Sequence, residues 1–541
     1  MKAMTLALIP LTLAAVSGVA DRAEAQSLQG YSVPTYSCVR NWYLSPDGSD
    51  SDDGNSPSRP WLTLKKADAN VQAGDCVNIA SGTYNLSEYV ALTHGGNANT
   101  STGYVVYRSG VSQGAHLLMS SQMPVGINMI YLMNNGQAQP PNYIILDGLE
   151  IDGNSNNAGG NCVGIYPRGV HHIVIENSLI HGCGTGGLGF GAGEYYWMVN
   201  NTVYNNSSLT SGSGLDVYEP NLATASDPGF APNANDQALY YHIVVANNIV
   251  HDNMEAATSS PAHTDSNGII FDDFNHSQNP GAPYTQPTLI KGNIAYNNGA
   301  GGVTVFESQY VTVANNSAYN NYIDPLNPST TWRSDIICGD CNNSIFINNA
   351  AYAFMGGTGN NAYTRAYSNL IDTSRGPANV TWTTNIGYPL NWGTINGTGN
   401  RFDVDPQFNN PSAGDFSLQA GSQANGSATP EPWLSSGTPD MGAWQPTSTS
   451  PATLTYYSGN IVNSQSNRCL DADTGSIGNN GTKVQLWSCW GGQNQSWTVN
   501  SNGTITNDQG GRCLDADTNT IGSNGTIVQL WDCTGGQNQA W

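Results

Sequence analysis

Ala246-Asn-Asn-Ile-Val-His-Asp252 decides how this chain is read. Five other segments align with it: Ile175-Glu-Asn-Ser-Leu-Ile-His181, Val199-Asn-Asn-Thr-Val-Tyr-Asn205, Lys291-Gly-Asn-Ile-Ala-Tyr-Asn297, Ala314-Asn-Asn-Ser-Ala-Tyr-Asn320 and Ile347-Asn-Asn-Ala-Ala-Tyr-Ala353. Each reads as a strand, an Asn and a second strand. The shared Asn falls at Asn177, Asn201, Asn248, Asn293, Asn316 and Asn349. Asn tolerates a left-handed or bent backbone. Stacked Asn side chains can also hydrogen-bond along a column. One such unit cannot bury its own apolar face, so the units must stack.

A second set of strands lies between these segments: Cys162–Tyr166, Gly187–Phe190, Gly214–Tyr218, Gly268–Asp272, Gly302–Phe306 and Asp335–Cys338. Alternate positions are apolar, in the pairs Val163/Ile165, Leu188/Phe190, Leu215/Val217, Ile269/Phe271, Val303/Val305 and Ile336/Cys338. A strand has a period of two, so these side chains face one way and their neighbours the other. The composition agrees with an all-β chain of short strands and many turns: 62 Gly, 10% charged residues and no long stretch with a helical apolar period. Short strands recurring at this interval predict a right-handed parallel β-helix.

Three stretches carry a family resemblance: the entry Tyr43–Gly54 with Ala73–Ile79 and Ser81–Tyr84, the repeat itself, and the exit Val404–Phe408, Gly414–Leu418 and Pro439–Ala443. Over residues 40–445 the chain resembles the pectate-lyase-like β-helix superfamily of secreted polysaccharide-degrading enzymes. That scaffold carries hydrolases, lyases, epimerases and non-enzymes, so the resemblance implies architecture more than reaction.

The C-terminus holds two copies of another pattern. Asn467–Asp473, Val484–Cys489 and Gln493–Trp497 recur as Gly511–Asp517, Val528–Cys533 and Gln537–Trp541. The repeated Q-x-W ending looks like the ricin-type β-trefoil lectin family. A trefoil has three such repeats, and two are present. The resemblance places Trp497 and Trp541 in the core. It maps sugar contacts onto Asp471, Gln485, Trp487, Asn494 and Gln495, and onto Asp515, Gln529, Trp531, Asn538 and Gln539. The chemistry is sensible, because an apolar sugar face wants an aromatic plane and its hydroxyls want fixed polar partners.

The expected organisation is a signal peptide at 1–25, a β-helix domain at 26–445, a Pro/Ser/Thr linker at 446–454 and a lectin domain at 455–541. Met1-Lys2, the apolar run to Val19 and Ala23-Glu-Ala25 form a Sec-type signal, which predicts an extracellular protein. Disulfides are then the default for its ten Cys, with local pairs Cys38–Cys76, Cys162–Cys183, Cys338–Cys341, Cys469–Cys489 and Cys513–Cys533. The net charge of −23 argues against nucleic acid or an anionic membrane as partner.

Candidate chemistry sits on the outward side of the second strand set. Asp216 and Asp272 point outward, beside Tyr218, and Glu219, Asp273 and Glu307 follow directly, one per rung. Carboxylates on adjacent rungs lie roughly 5 Å apart, and such crowding raises at least one pKa. The insertions Pro220–Gln237, Glu255–Asn267 and Asn275–Pro287 are expected to wall the site, supplying His263 and Asp265, which join Tyr218 as candidate substrate contacts, with His276, Tyr284 and Trp332 nearby. The leading expectation is an inverting glycoside hydrolase acting on a neutral polysaccharide, with Asp272 or Asp273 as acid and Asp216 or Glu219 as base. It needs no cofactor, although Asp265, Asp272, Asp273 and Glu307 form a candidate Ca²⁺ set. A Ca²⁺-dependent lyase or epimerase is the second expectation, with Arg168, Lys291 and Arg333 as its basic groups. A glycan-binding adhesin without catalysis is the third.

Overall fold

Three short strands recur in every turn. Ile243–Ala246 pairs in parallel with Thr288–Lys291 of the next turn, Ile249–His251 with Ile294–Tyr296, and Ile269–Asp272 with Val303–Phe306. The middle strands build an 11-stranded sheet, and the other two ladders join in an 18-stranded sheet. Two long strands, Val163–Glu176 and Gly186–Val199, run around the corner and fuse them. The computed structural model describes residues 32–539 except 99–100, 121–127, 134–139, 155–161, 211, 257–262, 329–332, 357–360, 367–378, 391–396, 435–437, 446–454, 464–465, 467, 491, 501–503 and 523. The leader at 1–25, the linker, Trp332 and Trp541 lie outside the described residues.

The fold is the expected right-handed parallel β-helix. The alternation places Leu215, Val217, Ile269, Phe271, Val303, Val305, Ile336 and Cys338 in one continuous core. One alignment slips. Ile165, not Val163, lies beside Leu188, and Val163 pairs with Gly186. Val163 therefore stands two residues away from the place its apolar character suggested.

The Asn column is real, but its two tasks fall on adjacent residues. Asn177, Asn200, Asn247, Asn315 and Asn348 take the left-handed backbone, with φ of 52–59°. The residue after each forms the ladder. Asn201, Asn248, Asn293, Asn316, Asn349, Asn385 and Asn400 are linked by side-chain amides at 2.9–3.1 Å. Each amide also reaches a backbone carbonyl, as Asn293 does to Val245 at 2.9 Å. Asn177 is outside the ladder, because Ser178 occupies the top position and donates its N–H to Asn201. A second ladder, Asn206–Asn253–Asn298–Asn321, runs parallel to the first. These amides satisfy backbone groups at bends where no strand partner exists.

Four of the five expected disulfides form. Cys162 and Cys183 do not pair. Both are buried thiols, and Cys183 sits against Met129 in the apolar core. The C-terminal region is antiparallel. Trp497 is fully buried there among Ala472, Leu514 and Leu530, and its Nε1 donates to the Leu470 carbonyl at 2.8 Å.

The second ladder ends on Asp335 rather than an Asn. Its Oδ1 accepts from Asn321 N and Nδ2, while its buried Oδ2 has no partner. Burial pushes its pKa up to about 8 from 3.8. A carboxyl raised in the folded chain stabilises the fold while protonated and weakens it once ionised. Its contribution is present in full below about pH 4 and is lost as pH rises through about 8. Asp335→Asn should therefore melt at a higher temperature than the parent at alkaline pH, by a few degrees, with the difference shrinking toward pH 4. Calorimetry across this range checks it, and a difference that does not depend on pH contradicts it.

Candidate active site

Parallel register turns the third ladder into a map of outward side chains. Tyr131 lies beside Tyr166, Arg168 beside Gly191, and Gly189 and Gly191 beside Asp216 and Tyr218. Next come Ile270 and Asp272, then Thr304 and Phe306. Asp216 and Asp272 are thus one rung apart and offset by two residues. Rung spacing and strand rise put that separation at about 8 Å.

Glu219, Asp273 and Glu307 stack in the next column, where the chain leaves the sheet. All three are left-handed, with φ of 47°, 54° and 47°. Such backbone is unfavourable for these residues and persists only where the surroundings enforce it. A loop after Asp273 provides the enforcement. Asp273 accepts from Ser277 N at 2.5 Å, Ser277 Oγ at 2.7 Å and Gln278 N at 3.0 Å. Ser277 Oγ also bridges to Glu307 at 2.7 Å, and Asn279 Nδ2 donates to Glu219 at 2.5 Å. The three acids are 8%, 0% and 4% exposed. Their oxygens anchor the loop, so Asp273, Glu219 and Glu307 do not fit the catalytic roles expected of them.

Asp216, Asp265 and Asp272 are the half-buried acids. Burial, followed by the charge of Asp265, raises Asp272 to about 7, although Gln278 Nε2 donates to it at 2.8 Å. Asp216 is pushed well above the usual carboxylate range, first by burial and then by Asp272 and Asp265. Its Oδ1 is sealed without a hydrogen-bond partner. Asp265 is raised too, again by burial. Tyr218 joins this face, accepting from Asn279 at 2.7 Å.

Other expected contributors go elsewhere. His263 is buried, 2.7 Å from Asp324, and holds loop to loop. Tyr284 is buried against Phe274 and Glu194. His276 reaches the Pro220 carbonyl at 3.2 Å. Most of the Pro220–Gln237 insertion packs over the corner of the two long strands: Ala223 N donates to Glu194 at 2.7 Å, and Asp236 meets His172 at 3.0 Å. It does not wall the acids.

The glycines at 189 and 191 matter because of what leans over them. A Cβ on Gly191 would lie 2.6 Å from Arg168 Nη1, and one on Gly189 would lie 3.0 Å from Tyr166. Arg168 donates to Tyr166 Oη at 3.1 Å and feels the charge of Glu219. Among the described residues it forms no ion pair. Lys291 lies on a different ladder. Arg333 donates to the Asn327 carbonyl at 2.9 Å.

Among the described residues no three His, Cys, Asp or Glu side chains assemble as a metal site. The calcium set Asp265, Asp272, Asp273 and Glu307 does not converge, because Asp273 and Glu307 turn their oxygens to Ser277.

In the C-terminal region the expected polar residues do meet. Asp471 accepts from Gln485 at 3.3 Å and from Asn494 and Gln495 at 2.9 Å. Asp515 accepts from Gln529 at 3.3 Å and from Asn538 and Gln539 at 2.8 Å. Trp487 and Trp531 stay exposed beside them, at 54% and 39%.

The loop-anchoring role of Asp273 has a direct consequence. Asp273→Ala should destabilise the chain by about 1–3 kcal/mol, since it removes the hydrogen bonds by which Ser277 and Gln278 hold the loop to a buried carboxyl. Urea unfolding would show this, and a loss of activity with unchanged stability would contradict it.

The model of the Pel9A-like right-handed β-helix region matches residues 42–328. That of the ricin-type β-trefoil lectin domain matches residues 457–541. Three solved structures illustrate the range of looser likeness. Pectate lyase Pel9A is 16% identical over 76% of this chain and 98% of its own, with a TM-score of 0.43. A glycoside hydrolase is 10% identical over 71% and 99%, with a TM-score of 0.40. The A-module of mannuronan C-5 epimerase AlgE6 from Azotobacter vinelandii is 14% identical over 60% and 90%, with a TM-score of 0.35. Their reactions differ, and similarity this loose carries no argument for any of them. No curated protein matches the chain. The chain belongs to the family of the Pel9A-like right-handed β-helix region and carries a ricin-type β-trefoil lectin domain behind it.

Proposed function

We propose that this is an exported enzyme that hydrolyses a neutral polysaccharide with inversion, with Asp216 as general acid and Asp272 as general base. The supporting observation is the pair itself. Two half-buried carboxyls stand one rung apart on the outward face, and burial raises both proton affinities, helped by the charges of Asp272 and Asp265 at Asp216 and of Asp265, Asp273 and Glu307 at Asp272. A separation of about 8 Å leaves room for a water between base and sugar. Asp216, which holds its proton more tightly, gives it to the departing glycosidic oxygen. Asp272 takes a proton from the water that attacks the anomeric carbon as the C–O bond breaks. This reverses the roles expected from sequence, because the deeper burial falls on Asp216. Asp265 crowds the pair and keeps it basic. Arg168 and Tyr166 flank it as substrate contacts. The lectin domain keeps the enzyme on its polymer, and the leader expected at 1–25 places it where polymers too large to import are found. No step in this mechanism requires calcium.

A second reading, β-elimination from a uronosyl residue, is favoured by one observation: the half-buried guanidinium of Arg168 has no ion-pair partner among the described residues. The same assay separates the two. Reducing ends and absorbance of unsaturated products would be followed together on neutral and uronate polysaccharides, with and without EDTA. Hydrolysis predicts reducing ends of inverted configuration, no unsaturated chromophore and no effect of EDTA. Asp216→Asn and Asp272→Asn should each lower kcat by about 10²–10⁴-fold. An unsaturated product would replace hydrolysis with elimination, and binding without turnover would leave a glycan-binding protein.

The pH profile follows from the same groups. kcat/KM should rise through about pH 7 as Asp272 ionises and fall at higher pH as Asp216 loses its proton. Asp265→Asn removes a negative neighbour, so the rising limb should move to lower pH. An unmoved limb would show that Asp265 does not act on the pair.

A further inference from the structure

The two lectin repeats superpose in their polar contacts but differ at one rim position. Trp490 N donates to Gln495 Oε1 at 3.0 Å, and Thr534 N donates to Gln539 Oε1 at 2.9 Å. The same backbone position thus carries an indole in the first repeat and a hydroxyl in the second. Trp490 is 63% exposed, more than any other large apolar side chain among the described residues of this domain. Its ring lies over Gly492, where an added Cβ would come within 2.2 Å of Cζ2 and 2.6 Å of Asn494 Oδ1. The indole therefore borders Asn494. That residue is buried in the first repeat, and its Oδ1 has no hydrogen-bond partner. The matching Asn538 is half-buried. An exposed indole beside an orphan buried acceptor is an unfinished contact. A sugar supplies both missing parts, an apolar face for the ring and a hydroxyl for the oxygen.

We propose that the first repeat holds a two-walled sugar site, with Trp487 and Trp490 as its aromatic faces and Asn494 Oδ1 as an acceptor. This site takes two or more consecutive pyranose units of a neutral chain. The second repeat has Trp531 alone, and Thr534 leaves it open on the other side, so it takes one unit. The two sites are therefore unequal in affinity and in the length of chain they prefer. The inference rests on the lectin domain binding sugar and is independent of the reaction at the β-helix.

The test is titration of the full chain, by calorimetry and tryptophan fluorescence, with galactose and xylose as single units and with cellotetraose and xylotetraose as chains. Trp490→Ala should weaken tetrasaccharide binding about tenfold, the scale of one aromatic contact, and single-unit binding less than twofold. Its fold should survive, since Gln495 is held by the backbone N–H of residue 490. Thr534→Trp should give the second repeat a preference for the tetrasaccharide. Equal loss on single units and tetrasaccharides, or no loss on either, would overturn the two-walled site. Silence of the parent chain toward all four sugars would overturn it together with the sugar-binding role of the domain, whatever the β-helix cleaves.

Discussion

Parallel pairing sets successive turns about 4.8 Å apart and puts equivalent residues in register. Every column of the β-helix then faces one question: can identical side chains tolerate each other at that distance? Asn can, because an amide both donates and accepts. Its ladders run from Asn201 to Asn400 and from Asn206 to Asn321. Aromatic rings can too, as Tyr204, His251 and Tyr296 do by stacking. Carboxylates cannot unless donors or protons intervene. Glu219, Asp273 and Glu307 receive donors from Ser277, Gln278 and Asn279. Asp216 and Asp272 hold their protons more tightly, first because they are buried and then because other acids crowd them. The geometry that builds the fold thereby sorts its acids into loop anchors and a pair of raised proton affinity.

The architecture was legible because it rests on repetition. The Asn segments, the period of two and the Q-x-W copies are counted directly, and the offset of Asp216 from Asp272 followed from register. Side-chain fate was less legible. Asp272 and Asp273 are neighbours in sequence, yet one faces outward and the other is sealed beneath a loop. That difference arises from a left-handed residue at the corner, φ 54° at Asp273, and from donors in a loop whose path is set by tertiary contacts. The reach of Arg168 over Gly191 had a signal in the Gly-rich run Gly186–Gly191. It becomes interpretable only once the register of Gly191 with Arg168 is known. The thiols of Cys162 and Cys183 teach the same lesson: proximity in sequence and burial do not make a disulfide.

The two sugar-facing regions divide the work differently. In the lectin repeats Asp471 and Asp515 each accept three hydrogen bonds from protein amides, with an exposed indole beside them. On the β-helix Asp216 and Asp272 instead keep raised proton affinities, and Asp216 Oδ1 has no hydrogen-bond partner.

The central claim is that burial, reinforced by neighbouring acids, keeps Asp216 and Asp272 protonated above the range of free carboxyls. Carboxyl ¹³C titration of the chain with labelled aspartate measures this directly, with Asp216→Asn and Asp272→Asn to assign the signals. The account predicts one carboxyl titrating near pH 7, absent in Asp272→Asn, and a second, absent in Asp216→Asn, that stays protonated to higher pH. If both are fully ionised by the ordinary carboxylate range of about pH 4–5, the acid pair and the mechanism built on it are wrong.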